Sequence, residues 1–386
     1  MKRIILTALI IFFGACSNDK TTTNLTTNSI SQIQTPSSQA TPEKNSTKPK
    51  KPSSNLPKKP QKSPDSNKTS SKENLKSDQN FSKICSLDVK VIFSKNSGSF
   101  SGGGDDEIIK TIQEANSSIF LAMYDFTNDK IKDALIDAKD RGVDVEIVTD
   151  DSKVDDEDYQ DLKNGDIPIF DDNNSNALMH NKFMIIDQRM LWSGSANYTY
   201  YSFYRNSENI ILIKDKKVAK TYLEEFKELK NHTFVKNPYI SECVEVYFSP
   251  EDHFETKLID LINQAKESVE FLIFAFTNKE IADALIRAKK RGLRIRGVFD
   301  EKQNEYQKYS KYNYLLENGL DVKLYGGNFK LHDKVMIIDK KIVVTGSYNF
   351  TVQADEKNSE NSLVIYKKEL ANKYEKEFQR IYENAN

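Results

Sequence analysis

The chain has 386 residues, 38% of them hydrophobic and 29% charged, with three cysteines and a formal net charge of −1. That length suits two domains of ordinary size, but the charge is unevenly spread: Ser17 to Lys83 holds 12 Lys against 5 acidic residues, while from Ile84 onward 42 basic residues face 52 acidic ones, a net of −10. So acidic a globular part excludes non-specific polyanion binding over its whole surface, and any phosphate-binding positive charge has to be concentrated in a site.

Lys2 and Arg3 precede an apolar run, Ile4 to Phe13, interrupted only by Thr7. About 10 residues are too few for a bilayer span, which needs about 20, but they suit the apolar region of a secretory signal. The run ends Phe13-Gly14-Ala15-Cys16. This resembles a bacterial lipoprotein signal (residues 1–16) with Cys16 as the lipidated residue, although Phe13 stands where leucine is commonest. The predicted location is therefore exported and lipid-anchored to the cell envelope, on its periplasmic or cell-surface side. Residues 17–83 are Thr, Ser, Asn, Lys and Pro, as in Lys48-Pro49-Lys50-Lys51-Pro52. Such a segment buries too little apolar surface to fold and reads as a disordered tether.

From Cys85 onward one unit is written twice. Phe126-Thr-Asn128 returns as Phe276-Thr-Asn278, and Ala134-Leu-Ile…Arg141-Gly142 as Ala284-Leu-Ile…Arg291-Gly292, each 150 residues later. Ile108, Ile109, Ile112 and Ala115 fall at helical spacing, as do Leu258, Ile259, Ile262 and Ala265. A strand follows in each copy (Ser118–Tyr124; Val269–Phe274), then a helix ending at Gly142 or Gly292, then a strand (Val145–Thr149; Ile295–Phe299). The alternation predicts an α/β fold: two α/β/α sandwich lobes, 84–240 and 241–386, with mostly parallel mixed sheets related by a pseudo-two-fold. Cys85 and Cys243 precede equivalent strands, and either a disulfide or two unpaired thiols fits that position.

The chemistry sits in a second recurrence. His180-Asn-Lys182-x4-Asp187 and His332-Asp-Lys334-x4-Asp339 read as strands, so each His and Lys share a face. Ser193-Gly194-Ser195-Ala196-Asn197 and Thr345-Gly346-Ser347-Tyr348-Asn349 follow, and over 20 aligned residues 10 are identical. Glu208 and Glu360 each fall 28 residues after their histidine, in matching segments Arg205-Asn-Ser-Glu-Asn209 and Lys357-Asn-Ser-Glu-Asn361. Two His–Lys pairs suit a phosphodiester, whose charge must be neutralised while a nucleophile attacks phosphorus. Ser195, Asn197, Ser347 and Asn349 are candidate donors to its non-bridging oxygens. Glu208 and Glu360 are candidates to orient the histidines. No metal or other cofactor is expected, because the lysines supply the charge a cation would bring. His232 and His253 have no recurrent partner and read as surface residues.

These two motifs closely resemble those of the phospholipase D superfamily, over roughly Val89 to the C-terminus. The resemblance implies one active site built from both motifs within a monomer, and a metal-free two-step reaction through phosphohistidine. It also implies His180 as nucleophile and His332 as acid/base, with Asp187 and Asp339 in supporting positions at strand ends. The expected activity is phospholipase D cleavage of a phospholipid headgroup, of phosphatidylcholine or cardiolipin type. The alternatives are an endonuclease and a non-catalytic surface-binding protein. Tyr198, Tyr200, Tyr201, Phe203 and Tyr204, beyond the first motif, suit base stacking or acyl contact equally.

Overall fold

The computed structural model describes residues 85–94 and 103–386; the leader, Cys16 and the tether 17–83 lie outside the described residues. The first lobe is a seven-stranded sheet of β1 (Val89–Phe93), β2 (Ser118–Met123), β3 (Asp144–Thr149), β4 (Ile169–Asp171), β5 (Lys182–Ile186), β6 (Met190–Gly194) and β7 (Asn209–Ile213), ordered β1-β7-β6-β5-β2-β3-β4. The second is eight-stranded: β8 (Tyr239–Ile240), β9 (Val244–Ser249), β10 (Ser268–Ile273), β11 (Arg294–Asp300), β12 (Asp321–Tyr325), β13 (Lys334–Ile338), β14 (Ile342–Gly346) and β15 (Glu360–Tyr366). Its order, β12-β11-β10-β13-β14-β15-β9-β8, repeats the first with β8 added at one edge.

The two-lobed α/β architecture with mixed sheets is the expected one. Parallel pairing, however, is confined to β2-β3-β4 and β10-β11-β12, and the remaining ladders are antiparallel. The expectation of mostly parallel pairing holds only where helices connect the strands. The stretch that carries each His-Lys motif is a hairpin instead, and a two-residue turn can join only antiparallel strands. Asp187 and Gln188 form that turn with φ of 50° and 52°, and Asp339 and Lys340 its copy with 51° and 52°. Two consecutive left-handed residues make the primed turn that matches strand twist, a position aspartate tolerates.

The helices of the first lobe are α1 (Asp105–Gln113), α2 (Asp129–Asp140), α3 (Glu157–Asn164), α4 (Tyr200–Tyr204) and α5 (Lys216–Asn231). Those of the second are α6 (Phe254–Gln264), α7 (Lys279–Lys290), α8 (Glu301–Tyr306), α9 (Tyr312–Glu317), α10 (Val352–Glu356) and α11 (Lys368–Glu383). The repeated Thr-Asn dipeptide is a helix start: Asn128 and Asn278 accept hydrogen bonds from the backbone of Ile131 and Ile281. The repeated Arg-Gly is the stop, with Gly142 and Gly292 at φ of 87° and 95°.

Three apolar cores result. One lies under α1 and α2 and one under α6 and α7. The third joins the lobes, with Phe183, Ile185 and Ile211 of the first sheet, Val335, Ile337 and Ile365 of the second, and Tyr222, Phe226, Tyr374 and Phe378 of α5 and α11 between them. A core drawn from both sheets fixes the lobes as one body. Cys85 and Cys243 are disulfide-bonded, with Cα atoms 5.3 Å apart across 158 residues of sequence. By loop-closure entropy alone, a crosslink that long stabilises the fold by about 5 kcal/mol. Among the described residues, no helix is long and apolar enough to cross a membrane.

Candidate active site

Each motif histidine stands just before the first strand of a hairpin and is pinned by the opposite lobe. The His180 N–H donates to the Ser359 carbonyl at 2.9 Å, and the Ser359 N–H to the Leu178 carbonyl. Their counterparts run from His332 to Ser207 at 2.9 Å and from Ser207 to Lys330 at 2.8 Å. These exchanged bridges carry the side chains with them. His180 Nδ1 lies 2.8 Å from Glu360 Oε2, and His332 Nδ1 lies 2.9 and 3.0 Å from the Glu208 carboxylate. The glutamates thus reach the histidines crosswise, each histidine meeting the carboxylate of the opposite lobe. With Nδ1–H given to a carboxylate, each ring presents Nε2 as the reactive nitrogen.

Lys182 and Lys334 project from the same strands, each donating to the carbonyl of its own histidine at 2.6 Å. Both are almost fully buried. Burial pushes Lys182 down to about 7 and Lys334 to about 8; the opposing pull of Glu360 and Glu208 is incomplete, Lys334 depresses Lys182 further, and Lys330 does the same to Lys334. Burial also lowers both histidines, His332 well below the usual range, with Lys334 and Lys182 adding to the effect. A phosphodiester anion among these four groups would favour their protonated forms.

The two carboxylates differ. Burial raises Glu208 to about 7 against the pull of Lys334 and Ser195, whereas His180 and Lys182 overcome burial at Glu360 and hold it below its ordinary value. Glu208 therefore holds its proton to higher pH than Glu360.

The serines are not free to hold phosphate. Ser195 Oγ donates to Glu208 at 2.6 Å and accepts from the Asn209 N–H, while Ser347 bonds Glu360 and accepts from Asn361. A hydroxyl has one proton, and here it is committed to a carboxylate; Ser195 and Ser347 position the glutamates. The glycine before each serine is required by crowding. Gly194 and Gly346 have φ of 128° and 150°, and a Cβ at either would fall on the Asn209 or Asn361 carbonyl oxygen. Asn197 and Asn349 are half-buried, and their Oδ1 atoms have no partner among the described residues. An amide oxygen accepts, so the candidate substrate donor at each position is the Nδ2 group.

Asp187 and Asp339 are not at the reacting centre. Each stands at the far end of its strand, five residues or roughly 17 Å from its lysine at strand rise. Asp187 accepts backbone N–H groups of Asn116, Ser117 and Ser118, and Asp339 those of Lys266, Glu267 and Ser268. They tie the hairpin turn to the preceding loop. The aromatic stretch is mostly core: Tyr198, Phe203 and Tyr204 are buried, Tyr200 is half-buried, and Tyr201 alone is well exposed. His232 and His253 are exposed at helix ends, as expected.

Residues between the motif letters matter more than their letters suggested. Asp333 accepts Ser207 Oγ at 2.7 Å and Asn209 Nδ2 at 2.9 Å, and Asn181 Oδ1 accepts Asn361 Nδ2 at 2.9 Å. These buried cross-lobe bonds hold the Ser-Glu-Asn segments against the opposite hairpin. The recurrence of Asn209 and Asn361 was visible in sequence; the unlike pair Asn181 and Asp333 left no such signal.

Residues 108–230 and again 258–382 match a family described as "Cardiolipin synthase, PLD-like domain". The chain belongs to the phospholipase D superfamily. It is similar to a phospholipase D of Rickettsia conorii, 37% identical over 144 residues that make up 36% of this chain and 72% of the relative. A mitochondrial cardiolipin hydrolase of Xenopus laevis is 30% identical over 175 residues, 42% of this chain and 80% of that one. Among solved structures, a phosphatidylserine synthase of Haemophilus influenzae superposes with a TM-score of 0.58 at 15% identity, over 77% of this chain and 87% of its own, a likeness of fold. As a member of this superfamily the protein is a phosphodiesterase of the phospholipase D type.

Proposed function

We propose that this phosphodiesterase hydrolyses the headgroup phosphodiester of a phospholipid, of phosphatidylcholine or cardiolipin type, through a covalent phosphohistidine. The observation that carries the mechanism is the pair of crossed His–Glu dyads, formed around two buried lysines within one chain. His180 Nε2 attacks phosphorus while Lys182, Lys334 and the Asn197 and Asn349 amides hold the non-bridging oxygens. The Glu208–His332 dyad, whose glutamate holds its proton to the higher pH, gives a proton through His332 Nε2 to the departing alcohol as the P–O bond breaks. His332 then takes a proton from water, whose oxygen attacks phosphorus, breaking the P–N bond and freeing His180.

Two features support lipid over nucleic acid. The relatives named above are a phospholipase D and a cardiolipin hydrolase. The folded part carries a net charge of −10 from Ile84 onward. The disulfide, which oxidising compartments maintain, supports the proposal of export with a lipid anchor on Cys16. An endonuclease is the second reading, favoured by exposed Tyr201 beside Phe329, with Arg205 stacked on Phe329 and Lys330 next along the chain. Purified protein offered phosphatidylcholine vesicles, cardiolipin vesicles and single-stranded DNA side by side is expected to release headgroup and leave DNA intact. DNA cleavage without lipid turnover reverses the choice.

The pH dependence follows from the shifted groups. Attack needs His180 neutral, and its lowered pKa makes it so from below about 6.5 upward. The proton on the Glu208 dyad is lost near 7, and the lysine charges are lost near 7 and 8 as pH rises. In kcat/KM, which reports the free enzyme, the alkaline limb is therefore expected between about pH 7 and 8. Bound phosphodiester favours the protonated forms, so the same limb in kcat moves to higher pH. An alkaline limb in kcat/KM above about pH 9 would contradict this reading.

A further inference from the structure

At the end of the parallel strands of the first lobe, a second cluster stands one residue from the catalytic histidine and takes no part in the chemistry above. Asp150 and Asp151 follow β3, and Asp172 follows β4. Their carboxylate oxygens lie within 4.8 Å of one another, one from each residue. Asp150 is 1% exposed and Asp172 3%, while Asp151 is half-buried and open to solvent on one side. Three carboxylates this close repel one another strongly unless something positive or a proton joins them.

Part of the cluster is used locally. Asp150 Oδ1 accepts the Ser152 N–H, its Oδ2 accepts the Met179 N–H at 2.9 Å, and Asp172 Oδ1 accepts the Asp151 N–H at 3.0 Å. Asp172 Oδ2 has no partner at all among the described residues, although the side chain is almost wholly buried. A buried carboxylate oxygen without a donor is costly, and a protein retains one where a ligand completes it.

The duplicated scaffold provides an internal control. Thr149 pairs with Asp171 in the first sheet, which sets Asp150 opposite Asp172; in the second, Asp300 pairs with Tyr325. Asp300 repeats the supporting bond of Asp150, accepting the Leu331 N–H at 2.8 Å just before His332. The fold thus needs the first aspartate in both lobes but accepts a tyrosine where Asp172 stands. The carboxylate at 172 is an addition peculiar to one lobe.

We propose that Asp150, Asp151 and Asp172 bind a divalent cation, calcium by preference, which braces the segment leading into His180. Oxygen-only donors suit a hard cation, and ligands on opposite sides of a calcium ion at about 2.4 Å stand about 4.8 Å apart, so one oxygen from each residue fits one ion. Waters entering beside Asp151 complete the six to eight ligands calcium takes, whereas magnesium would demand a stricter octahedron. The ion acts on structure: through Asp150 it fixes the Met179 N–H, and with it the turn that aims His180. The phosphoryl charge is still met by Lys182 and Lys334.

The test uses the full chain, stripped with chelator and then followed by thermal unfolding with and without about 1 mM calcium chloride. Calcium is expected to raise Tm by about 3–5 °C, magnesium by less, and Asp172→Asn to abolish the shift. Terbium bound in place of calcium is expected to luminesce on tyrosine excitation, with loss of signal in Asp151→Asn, a part-exposed change that keeps the test valid if Asp172→Asn does not fold. Glu225→Gln, in a separate acidic cluster with Glu228 and Glu251, is expected to retain the calcium shift. No calcium shift in the unsubstituted chain overturns the proposal. So does a shift that survives in Asp172→Asn or disappears in Glu225→Gln.

Discussion

Alanine at His180 or at His332 is expected to lower phosphodiester turnover by about 10⁴-fold or more, and the double variant to be no slower than the worse single one. In the proposed mechanism both rings meet one phosphorus. Each histidine is held by backbone bonds and a glutamate from the opposite lobe, so neither lobe can run a reaction alone. Two independent sites would instead leave each single variant with about half its activity. A substrate with a good leaving group separates the two roles. An alcohol that departs without protonation spares His332 in the first step, so His332→Ala is expected to show a burst of product and to accumulate acid-labile phosphoenzyme. His180→Ala shows neither, because the P–N bond cannot form. Rapid-quench kinetics with such a substrate make the measurement, and far-ultraviolet circular dichroism checks that the fold persists. A burst in His180→Ala with none in His332→Ala would exchange the assignment while leaving the shared site intact.

Glutamine at Glu360 or Glu208 is expected to cost about 10³-fold in kcat with little change in KM. A carboxylate accepts the Nδ1 proton and leaves Nε2 with its lone pair. Glutamine can turn its amide N–H toward Nδ1, which favours the tautomer with the proton on Nε2, the nitrogen that must attack or collect a proton. Because the dyads cross between lobes, Glu360→Gln acts on His180 and suppresses phosphoenzyme formation, while Glu208→Gln acts on His332 and is rescued in the first step by a good leaving group. The opposite pattern, with each glutamate variant mimicking loss of the histidine in its own lobe, would refute the crossed arrangement.

Much of this molecule was legible before any coordinates. The 150-residue repeat, the helix starts at Asn128 and Asn278 and the stops at Gly142 and Gly292 are short-range effects, since caps and left-handed glycines act within a turn of chain. The His-Lys face of each hairpin follows from the two-residue period of a strand in the same way. The aromatic run after the first motif was less legible. Tyr198, Phe203 and Tyr204 look the same in sequence whether they line a mouth or fill a core, and only the packing of α4 against the sheet sends them inward. The serines of the Gly-Ser-x-Asn repeats misled for a related reason: a hydroxyl suits a phosphate and a carboxylate equally, and distance alone decides which it meets.

Lengths, periods and residue types by themselves determined that two copies of one α/β unit follow each other and that each brings a histidine, a lysine and a glutamate. They also marked Glu208 and Glu360 as candidates to orient the histidines. Which glutamate serves which histidine was left to the tertiary structure. Chain order places Glu208 nearer His180, yet the third core turns the lobes toward each other, and backbone bridges at Ser207 and Ser359 carry each glutamate across. The partner of a buried group is chosen by the lowest-energy packing of the whole chain. Sequence distance enters that choice only through the modest, logarithmic cost of closing a longer loop.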